Sequence, residues 1–414
     1  MASNLNAEFR STPIVWETIV EAHERIRPRI HRTPVLTSAT LNALAGVELF
    51  FKCENLQKTG SFKIRGAYNR VAALAPAEAA RGAVAASAGN HGQALAWAAS
   101  RAGVRATIVM PTTAAIAKID ATRSYGQIVE LAGSDYLEAR RTAEEIGART
   151  GALFVDAYDD PFVIAGQGTV GLEIADELAP DFVLVPVGGG GLLAGIAIAL
   201  AARAPRAKLI GVEAAGSPQL SLSLERGAPC TVPTAVDTIA DGLATGRVGR
   251  LPFEIVRNRL DRVVTVDDFE IGEAVLLVLE RMKLLAEGAG AAALAGALKL
   301  GAALAGRRVA IVASGGNIDV NLLDRIIGHG LAKAGRLMRL TVELRDRPGE
   351  LQGLLAAITE QGANVRAIQH DRTRRDVRIG GARVTLELET RGHAHIERIR
   401  EALAASGHQV LIEE

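Results

Sequence analysis

The chain has 414 residues, 49% of them hydrophobic, which is enough for two or three domains with well-filled cores. Its net charge is only +1, with both signs mixed along the chain, so composition excludes the basic surfaces typical of proteins that bind nucleic acid or anionic membranes. Cys53 and Cys230 are too few for a disulfide framework. No apolar run is long enough to span a membrane, and residues 1–13 lack a signal-peptide core, so a cytoplasmic protein is expected.

From the N-terminus, residues 14–26 have the periodicity of an amphipathic helix. Short apolar runs then alternate with helix-length stretches, a pattern typical of parallel sheets covered on both faces. The length favours two such sheets, with the segments around Lys63 and Asn90 in the first and those around Gly188 and Ser314 in the second. The predicted strands are residues 49–53, 83–86, 106–110, 128–131, 182–187, 209–213, 262–266 and 309–313, and the predicted helices include residues 91–100, 136–149, 192–203 and 269–285.

The pattern changes near residue 328, where glycine-rich residues 328–335 are predicted to form a linker. Beyond them the sequence predicts the order strand, helix, strand, strand, helix, strand, which is the ferredoxin-like order. The predicted strands are residues 337–344, a run from residue 362, 383–389 and 409–412, and the helices are residues 347–360 and 393–403.

Lys63 lies in residues 61–66 (SFKIRG), at the start of a predicted helix. Most lysines are solvated surface charges, but a lysine that forms a Schiff base needs an unprotonated amine and therefore a partly desolvated site. Phe62, Ile64 and the preceding apolar strand provide such surroundings. Lys63 is therefore a candidate for covalent catalysis.

Residues 87–91 (SAGNH) follow a predicted strand and precede a predicted helix. Small residues there leave backbone N–H groups available at a helix N-terminus, where they can bind a carboxylate. Asn90 can also donate a hydrogen bond to a phenolate-like oxygen. Taken alone, however, the segment is an ordinary strand-to-helix turn.

Four consecutive glycines at residues 188–191 also follow a strand and open a helix, and such a run forms a general phosphate nest. The second and fourth glycines, with Ala194, also fit the dinucleotide fingerprint, and Glu213 lies where a ribose-binding acid would be expected. A nicotinamide-dependent enzyme is therefore an alternative on this segment alone. It explains neither Lys63 nor the turn at Ser314.

Residues 314–317 (SGGN) follow a predicted strand, at the sheet edge where open α/β proteins bind ligands. Ser314 can hydrogen-bond a pyridine nitrogen, and because a hydroxyl is a weak acid that nitrogen would stay largely unprotonated, which suits elimination. The amine, the asparagine loop, the phosphate nest and the serine turn suit one ligand together. The sequence therefore predicts pyridoxal 5′-phosphate as the cofactor.

Residues 14–330 resemble the fold-type-II pyridoxal-phosphate enzymes, and among them the threonine/serine dehydratases. The resemblance rests on residues 58–67 (KTGSFKIRGA), 87–93 (SAGNHGQ), 188–192 (GGGGL), 287–291 (EGAGA) and 314–317 (SGGN). It implies an α/β catalytic domain at residues 1–330 made of two open parallel subdomains, the smaller at about 54–155. Residues 336–414, with RDRPGEL at 345–351, resemble an ACT domain, an α+β ferredoxin-like module that senses small molecules.

The resemblance assigns a role to each motif. Lys63 would bind the cofactor and later act as the base toward the substrate Cα, with Phe62 against the cofactor ring and Asn90 on its 3′ oxygen. The cofactor-binding residues are expected to be Phe62, Lys63, Asn90, Gly188, Gly189, Gly190, Gly191, Leu192 and Ser314. The substrate-binding residues are expected to be Ser87, Ala88, Gly89, Asn90 and His91.

The resemblance also implies the reaction, deamination of L-threonine to 2-oxobutanoate and ammonia, with activity on L-serine. Related serine racemases have a serine at the position of Ala88, and alanine there favours dehydration. Gly92 and Ala94 look more like the racemase loop, so a serine racemase and a threo-3-hydroxyaspartate dehydratase remain alternatives, as does a non-catalytic amino-acid sensor. Family members often bind a cation near the position of Glu213, but no second carboxylate follows closely here, so a metal stays unknown.

An ACT domain implies an amino-acid effector and a homo-oligomer, a dimer or a tetramer. Asp346, Gly349 and Asn364 are the expected effector-binding residues. A branched-chain amino acid such as isoleucine is the expected ligand for an enzyme at the start of isoleucine biosynthesis. The alternative is that the module only assembles the oligomer.

Overall fold

The computed structural model describes residues 13–233, 236–373 and 375–412. The chain forms two compact units, one ending at Asp319 and the other starting at Val320. The predicted domain limits, residues 1–330 and 336–414, stay a prediction. No helix in the described ranges is long and apolar enough to cross a membrane.

The first unit alternates strands and helices, and all eight strands predicted for it are present. The two additional strands, β1 and β6, have only two residues each, too few to show any periodicity in sequence. The strands are β1 Val35–Leu36, β2 Glu48–Lys52, β3 Ala83–Ala86, β4 Ala106–Met110, β5 Ile128–Leu131, β6 Leu153–Phe154, β7 Phe182–Pro186, β8 Lys208–Ala214, β9 Leu260–Val266 and β10 Arg308–Val312. The helices are α1 Trp16–Ile26, α2 Ala39–Ala45, α3 Lys63–Ala72, α4 Pro76–Arg81, α5 Asn90–Ala102, α6 Ile116–Arg123, α7 Tyr136–Thr150, α8 Pro161–Glu177, α9 Gly191–Arg203, α10 Gln219–Arg226, α11 Arg250–Val256, α12 Asp268–Leu277, which a π-helical turn Val278–Met282 extends, and α13 Gly288–Leu300.

The strands form two sheets, as predicted. The larger has the order β1-β2-β10-β7-β8-β9, with β1 antiparallel to β2 and the others parallel. The smaller has the order β5-β4-β3-β6 and is parallel throughout. Both faces of the smaller sheet are covered, because successive residues of β3 enter different cores: Ala83 and Ala85 pack with α5, whereas Val84 and Ala86 pack with α7.

The helix that begins with Lys63 connects the two sheets. Its preceding strand, β2, pairs with β10 in the larger sheet. Its apolar residues, among them Ile64 and Val71, instead pack in the core of the smaller sheet. The Lys63 segment therefore lies with the smaller sheet, as predicted, but enters from the larger one.

The second unit consists of α14 Val320–Lys333, β11 Leu337–Arg345, α15 Glu350–Glu360, β12 Asn364–Asp371, β13 Gly381–Glu389, α16 His393–Ala405 and β14 Val410–Ile412. Its antiparallel sheet has the order β12-β13-β11-β14, and from β11 onward its elements follow the predicted ferredoxin-like order.

The predicted linker at residues 328–335 is wrong, because α14 continues through Lys333. Gly328 and Gly330 weaken a helix by only about 1 kcal/mol each, and the apolar periodicity continues past them. The turn comes at Gly335, which has a φ of 63° in the left-handed region that favours glycine.

Candidate active site

A cavity of about 380 Å³ lies between the two sheets of the first unit. Its walls come from the segments that follow β3, β7 and β10, at the carboxyl ends of parallel strands. The cavity brings together every residue proposed above to bind cofactor or substrate: Phe62, Lys63, Ser87, Ala88, Gly89, Asn90, His91, Gly188, Gly189, Gly190, Gly191, Leu192 and Ser314. Their individual roles stay predictions.

Lys63 is the first residue of α3, and its Nζ donates to the carbonyl of Ala157 at 3.0 Å. Nζ also lies 5.2 Å from the centre of the Phe62 ring. The side chain reaches the cavity, but protein atoms surround the amine. This burial lowers the Lys63 pKa to about 8, although Asp156 and Glu287 oppose the shift. The unprotonated fraction of the amine near neutral pH is therefore far larger than that of an ordinary lysine, although the protonated form still predominates, and covalent catalysis uses the unprotonated form.

The loop at residues 87–91 ends in the N-terminus of α5. Gly89 is the N-cap, and the Ser87 hydroxyl accepts a hydrogen bond from the Gly89 N–H at 3.2 Å. His91 Nε2 lies 3.0 Å from the Val155 carbonyl, so this nitrogen carries the proton. Burial and the nearby Lys63 lower the His91 pKa to about 4, so His91 is neutral at physiological pH. The loop therefore offers backbone N–H groups and neutral side chains to an anion.

The glycine loop follows β7 and leads into α9. In the described part of the chain, the backbone N–H groups of residues 188–192 make no hydrogen bond to another protein group. Gly190 has a φ of 89°, and a Cβ at Gly189 would lie 2.1 Å from the Tyr158 ring. Gln219 Nε2 also holds the loop in place by donating a hydrogen bond to the Gly188 carbonyl at 3.0 Å. The result is a rigid set of donors at a helix N-terminus, suited to a phosphate.

Ser314 lines the cavity at the start of the turn that follows β10. It is only 2% exposed, and its hydroxyl donates to the Ala289 carbonyl at 3.2 Å. The Ser314 carbonyl accepts from the Phe62 N–H at 3.0 Å, which ties the serine turn to the lysine segment.

Glu213 is fully buried and does not line the cavity. Its carboxylate accepts hydrogen bonds from the N–H groups of Leu220 and Ser221 at 2.9 and 3.1 Å, and from the Ser221 hydroxyl. It therefore caps α10, and the ribose-binding role considered for it is wrong. Within the described ranges no group of three or more His, Cys, Asp or Glu residues is arranged to hold a metal ion.

The cavity also contains polar residues to which the motifs assigned no role. Glu287 Oε1 accepts from Asn90 Nδ2 at 2.6 Å, and burial raises the Glu287 pKa to about 7. Asn317 donates to Asn90 Oδ1 at 2.8 Å. Glu287 and Asn317 lie inside the EGAGA and SGGN motifs, so their sequence positions were a usable signal. Lys118 and Asp241, which form an ion pair at 2.8 Å, lie outside every motif.

The expected effector-binding residues all lie in the second unit. Asp346 forms an ion pair with Arg372 at 3.0 Å. Gly349 is the N-cap of α15 with a φ of 95°, and a Cβ there would meet no atom within 4 Å. Asn364 Nδ2 donates to Glu389 at 3.2 Å. The open backbone at Gly349 suits a small anion, whereas both side chains already have protein partners.

Comparison with known proteins gives consistent results. Residues 26–315 match the family model described as pyridoxal-phosphate dependent enzyme. The chain is 48% identical to an L-threonine ammonia-lyase of Thermotoga maritima, over 96% of this chain and 99% of that protein. It is 44% identical to an L-threonine ammonia-lyase of Geobacter sulfurreducens, over 95% and 98%. The solved structure of maize serine racemase superposes with a TM-score of 0.73 at 35% identity, over 78% of this chain and 99% of that one.

Proposed function

The chain belongs to the family of pyridoxal-phosphate-dependent enzymes, and we propose that it is a threonine ammonia-lyase. It converts L-threonine to 2-oxobutanoate and ammonia, it acts on L-serine in the same way, and pyridoxal 5′-phosphate is its cofactor. One observation carries the proposal: a single cavity is lined by the Lys63 amine with its lowered pKa, by the loop at residues 188–192, whose backbone N–H groups are unpaired among the described residues, and by the N-terminus of α5. These are the three groups that this cofactor and an amino-acid substrate need.

The glycine loop fits the phosphate of the cofactor. Within the described ranges, the backbone N–H groups of residues 188–192 have no protein acceptor. They must therefore donate hydrogen bonds to a ligand or to water. A larger residue would not fit this loop without a shift of the backbone, since a Cβ at Gly188 would lie 2.6 Å from the Gly242 carbonyl oxygen. The helix dipole of α9 favours a negative charge at the same place.

Lys63 would hold the cofactor covalently through Nζ, and the freed amine would accept the Cα proton of the substrate. The bound cofactor supplies the electron-withdrawing ring that makes this proton acidic. Phe62 would pack on the ring, Asn90 would donate to its hydroxyl oxygen, and the Ser314 hydroxyl would face its nitrogen. Ser314 is nearly inaccessible to water, and its weakly acidic hydroxyl would leave that nitrogen largely unprotonated, which would favour elimination.

The loop at residues 87–91 would bind the substrate carboxylate at the N-terminus of α5. Ala88 supports dehydration over racemisation, because a racemase needs a proton donor on the second face of the substrate and a methyl group cannot supply one. Among the described residues that line the cavity, the lysines are Lys63 and Lys118, and Asp241 already neutralises Lys118. A substrate with a second carboxylate, such as 3-hydroxyaspartate, would lack a cationic partner, which favours threonine.

A direct test measures keto-acid release from L-threonine, L-serine and threo-3-hydroxyaspartate by the purified protein with added pyridoxal phosphate. Threonine should give the highest kcat/KM, and chiral analysis of the serine reaction should find little D-serine. A higher kcat/KM for hydroxyaspartate would reject the substrate assignment, and abundant D-serine would reject the role of Ala88.

We further propose that residues 336–414 form an ACT domain that binds an amino acid and assembles a homo-oligomer. The support is the βαββαβ order, together with the open backbone of Gly349 at the start of α15. The carboxylate of the effector would bind the backbone N–H groups at the start of α15. The ammonium group of the effector would compete with Arg372 for Asp346. Asn364 would contact the effector from the start of β12. Isoleucine is the proposed effector, and the energetic link to catalysis makes its effect on threonine affinity measurable.

A further inference from the structure

Three side chains on the cavity wall form a continuous hydrogen-bonded row: Asn317, Asn90 and Glu287, called here the amide row. Asn317 Nδ2 donates to the Thr59 carbonyl at 2.7 Å and to Asn90 Oδ1 at 2.8 Å. Asn90 Nδ2 donates to Glu287 Oε1 at 2.6 Å. The row therefore starts at a backbone acceptor and ends at a carboxyl group.

The amide row fixes which end of Asn90 is the nitrogen. The Thr59 carbonyl can only accept, so Asn317 must present its NH₂ group there, and the same group serves Asn90. Asn90 must then turn its oxygen toward Asn317 and its NH₂ toward Glu287. The opposite orientation would place the NH₂ group of Asn90 against the NH₂ group of Asn317 and lose their hydrogen bond, which is costly in a partly buried site.

The anchor of the row is itself unusual. Thr59 has a φ of 64°, in the left-handed region that β-branched residues rarely adopt. Such backbone strain is concentrated at functional sites, where the surrounding structure holds it in place. The direction of the Thr59 carbonyl, and with it the orientation of Asn317, depends on this conformation.

Glu287 uses one of the two hydrogens on Asn90 Nδ2, which leaves the second for a ligand. We propose that Glu287 is a positioning residue that acts through Asn90, holding its amide so that the second N–H is available to the hydroxyl oxygen of pyridoxal phosphate. This inference rests on the proposed function, because it assumes that cofactor. It gives Glu287 a role in cofactor binding that needs no direct contact with the substrate.

The position of Glu287 suits that role. Its own N–H donates to the Gly315 carbonyl at 3.0 Å, and a Cβ on Gly315 would lie 2.2 Å from its Oε1, so the carboxyl group has little room to move. Burial raises its pKa to about 7, while Lys118 and Lys63 oppose the shift and Asp241 adds to it. Both the neutral and the ionised form can accept the hydrogen bond from Asn90. Glutamine should therefore replace Glu287 in this role, whereas alanine should not.

The test is a titration of the full-length apoprotein with pyridoxal phosphate, followed by visible absorbance, with the thermal unfolding of each apoprotein measured alongside. Glu287→Ala should weaken the affinity about tenfold, roughly the value of one lost hydrogen bond, and Glu287→Gln should restore it to within about threefold. Glu270→Ala, which removes a capping glutamate that does not line the cavity, is the matched control and should leave the affinity unchanged. In an Asn90→Ala background, Glu287→Ala should add less than about twofold, because the two residues act as one unit.

An equal loss from Glu287→Ala with and without Asn90 would overturn the proposal, as would an unchanged affinity or a Gln variant no better than Ala. If Glu287→Ala does not fold, Asn317→Ala tests the other end of the amide row, and its effect must likewise vanish in the Asn90→Ala background. The unmodified protein is measured first for cofactor binding and threonine turnover. Failure there rejects the proposed function, whereas additive effects in a working enzyme reject only the role of Glu287.

Discussion

Replacing Arg65 with methionine should strongly destabilise the first unit, although Arg65 does not line the cavity. Arg65 is fully buried, two residues after Lys63. Its guanidinium donates to Glu54 at 2.7 and 2.8 Å, to Glu173 at 2.8 and 2.9 Å, and to Thr169 at 3.0 Å. These hydrogen bonds use all five N–H donors of the guanidinium. Arg65 therefore fixes the helix that carries Lys63 to α8 and to the segment after β2.

The magnitude follows from the charges left behind. Removing Arg65 leaves two buried carboxylates, Glu54 and Glu173, with one buried cation, Lys52, which lies 2.8 Å from Glu173. Removing one partner of a buried ion pair lowers the free energy of unfolding by about 3–5 kcal/mol, because an uncompensated charge remains. For a domain of this size that corresponds to a fall in Tm of roughly 5–10 °C. Arg65→Lys should also destabilise, since an ammonium has three donors and cannot bridge both carboxylates in the same plane.

The assay is thermal and urea unfolding of the apoprotein, so that cofactor binding does not add to the stability. Arg257→Met is the control, because the Arg257 side chain forms an exposed ion pair with Glu254 at 3.5 Å, which should contribute less than about 1 kcal/mol. The decisive comparison is Arg65→Met with Arg65→Met/Glu54→Gln, which removes the carboxylate left without a buried cation. The double variant should be more stable than the single one. A double variant that is equally or less stable would refute the explanation by unbalanced charge.

Lys63→Ala should abolish both keto-acid release and the visible absorbance of bound cofactor, and near-normal turnover would reject the assignment. Because burial lowers the Lys63 pKa to about 8, cofactor uptake by the apoprotein should speed up with pH and level off above about pH 8; a rise that continues to the ordinary value of 10.5 would contradict this. Ala88→Ser should raise the D-serine fraction from L-serine, and an unchanged fraction would reject the role of position 88. Asp346→Ala should abolish the shift that isoleucine causes in the half-saturating threonine concentration, and an unchanged shift would remove Asp346 from the effector site.

Much of the first unit could be predicted from sequence because its strands are short, continuous apolar runs. Strands β3 and β7 are buried at every residue, so they contain no polar alternation that could be confused with an exposed strand. The motifs at residues 87–91 and 188–191 could be placed for the same reason, since each directly follows such a strand. A ligand site at the carboxyl ends of these strands then follows from the geometry of a parallel sheet.

Two predictions from the local sequence pattern were wrong, the linker at residues 328–335 and the ribose-binding role of Glu213. Glycines at residues 328 and 330 suggested a linker, but packing and periodicity outweighed their low helix propensity and α14 runs through them. Glu213 matched the spacing of a ribose-binding acid, yet its carboxylate caps the N-terminus of α10 instead. Spacing along the chain cannot distinguish these outcomes, because a carboxylate satisfies backbone N–H groups as readily as it satisfies a ligand.

The contacts that join the two halves of the site could not be predicted from local pattern at all. Asn90 and Glu287 are 197 positions apart, and Lys118 and Asp241 are 123 apart, yet each pair meets across the cavity. In both pairs one partner is carried by the smaller sheet and the other by the larger sheet. These two polar pairs therefore add to the packing of the Lys63 helix in holding the smaller sheet beside the glycine loop, and their relation appears only in the folded chain. Because one of these side chains is Asn90, the amide proposed to bind the cofactor is held in place by a residue 197 positions away, and no pattern within the SAGNH motif could have revealed that partner.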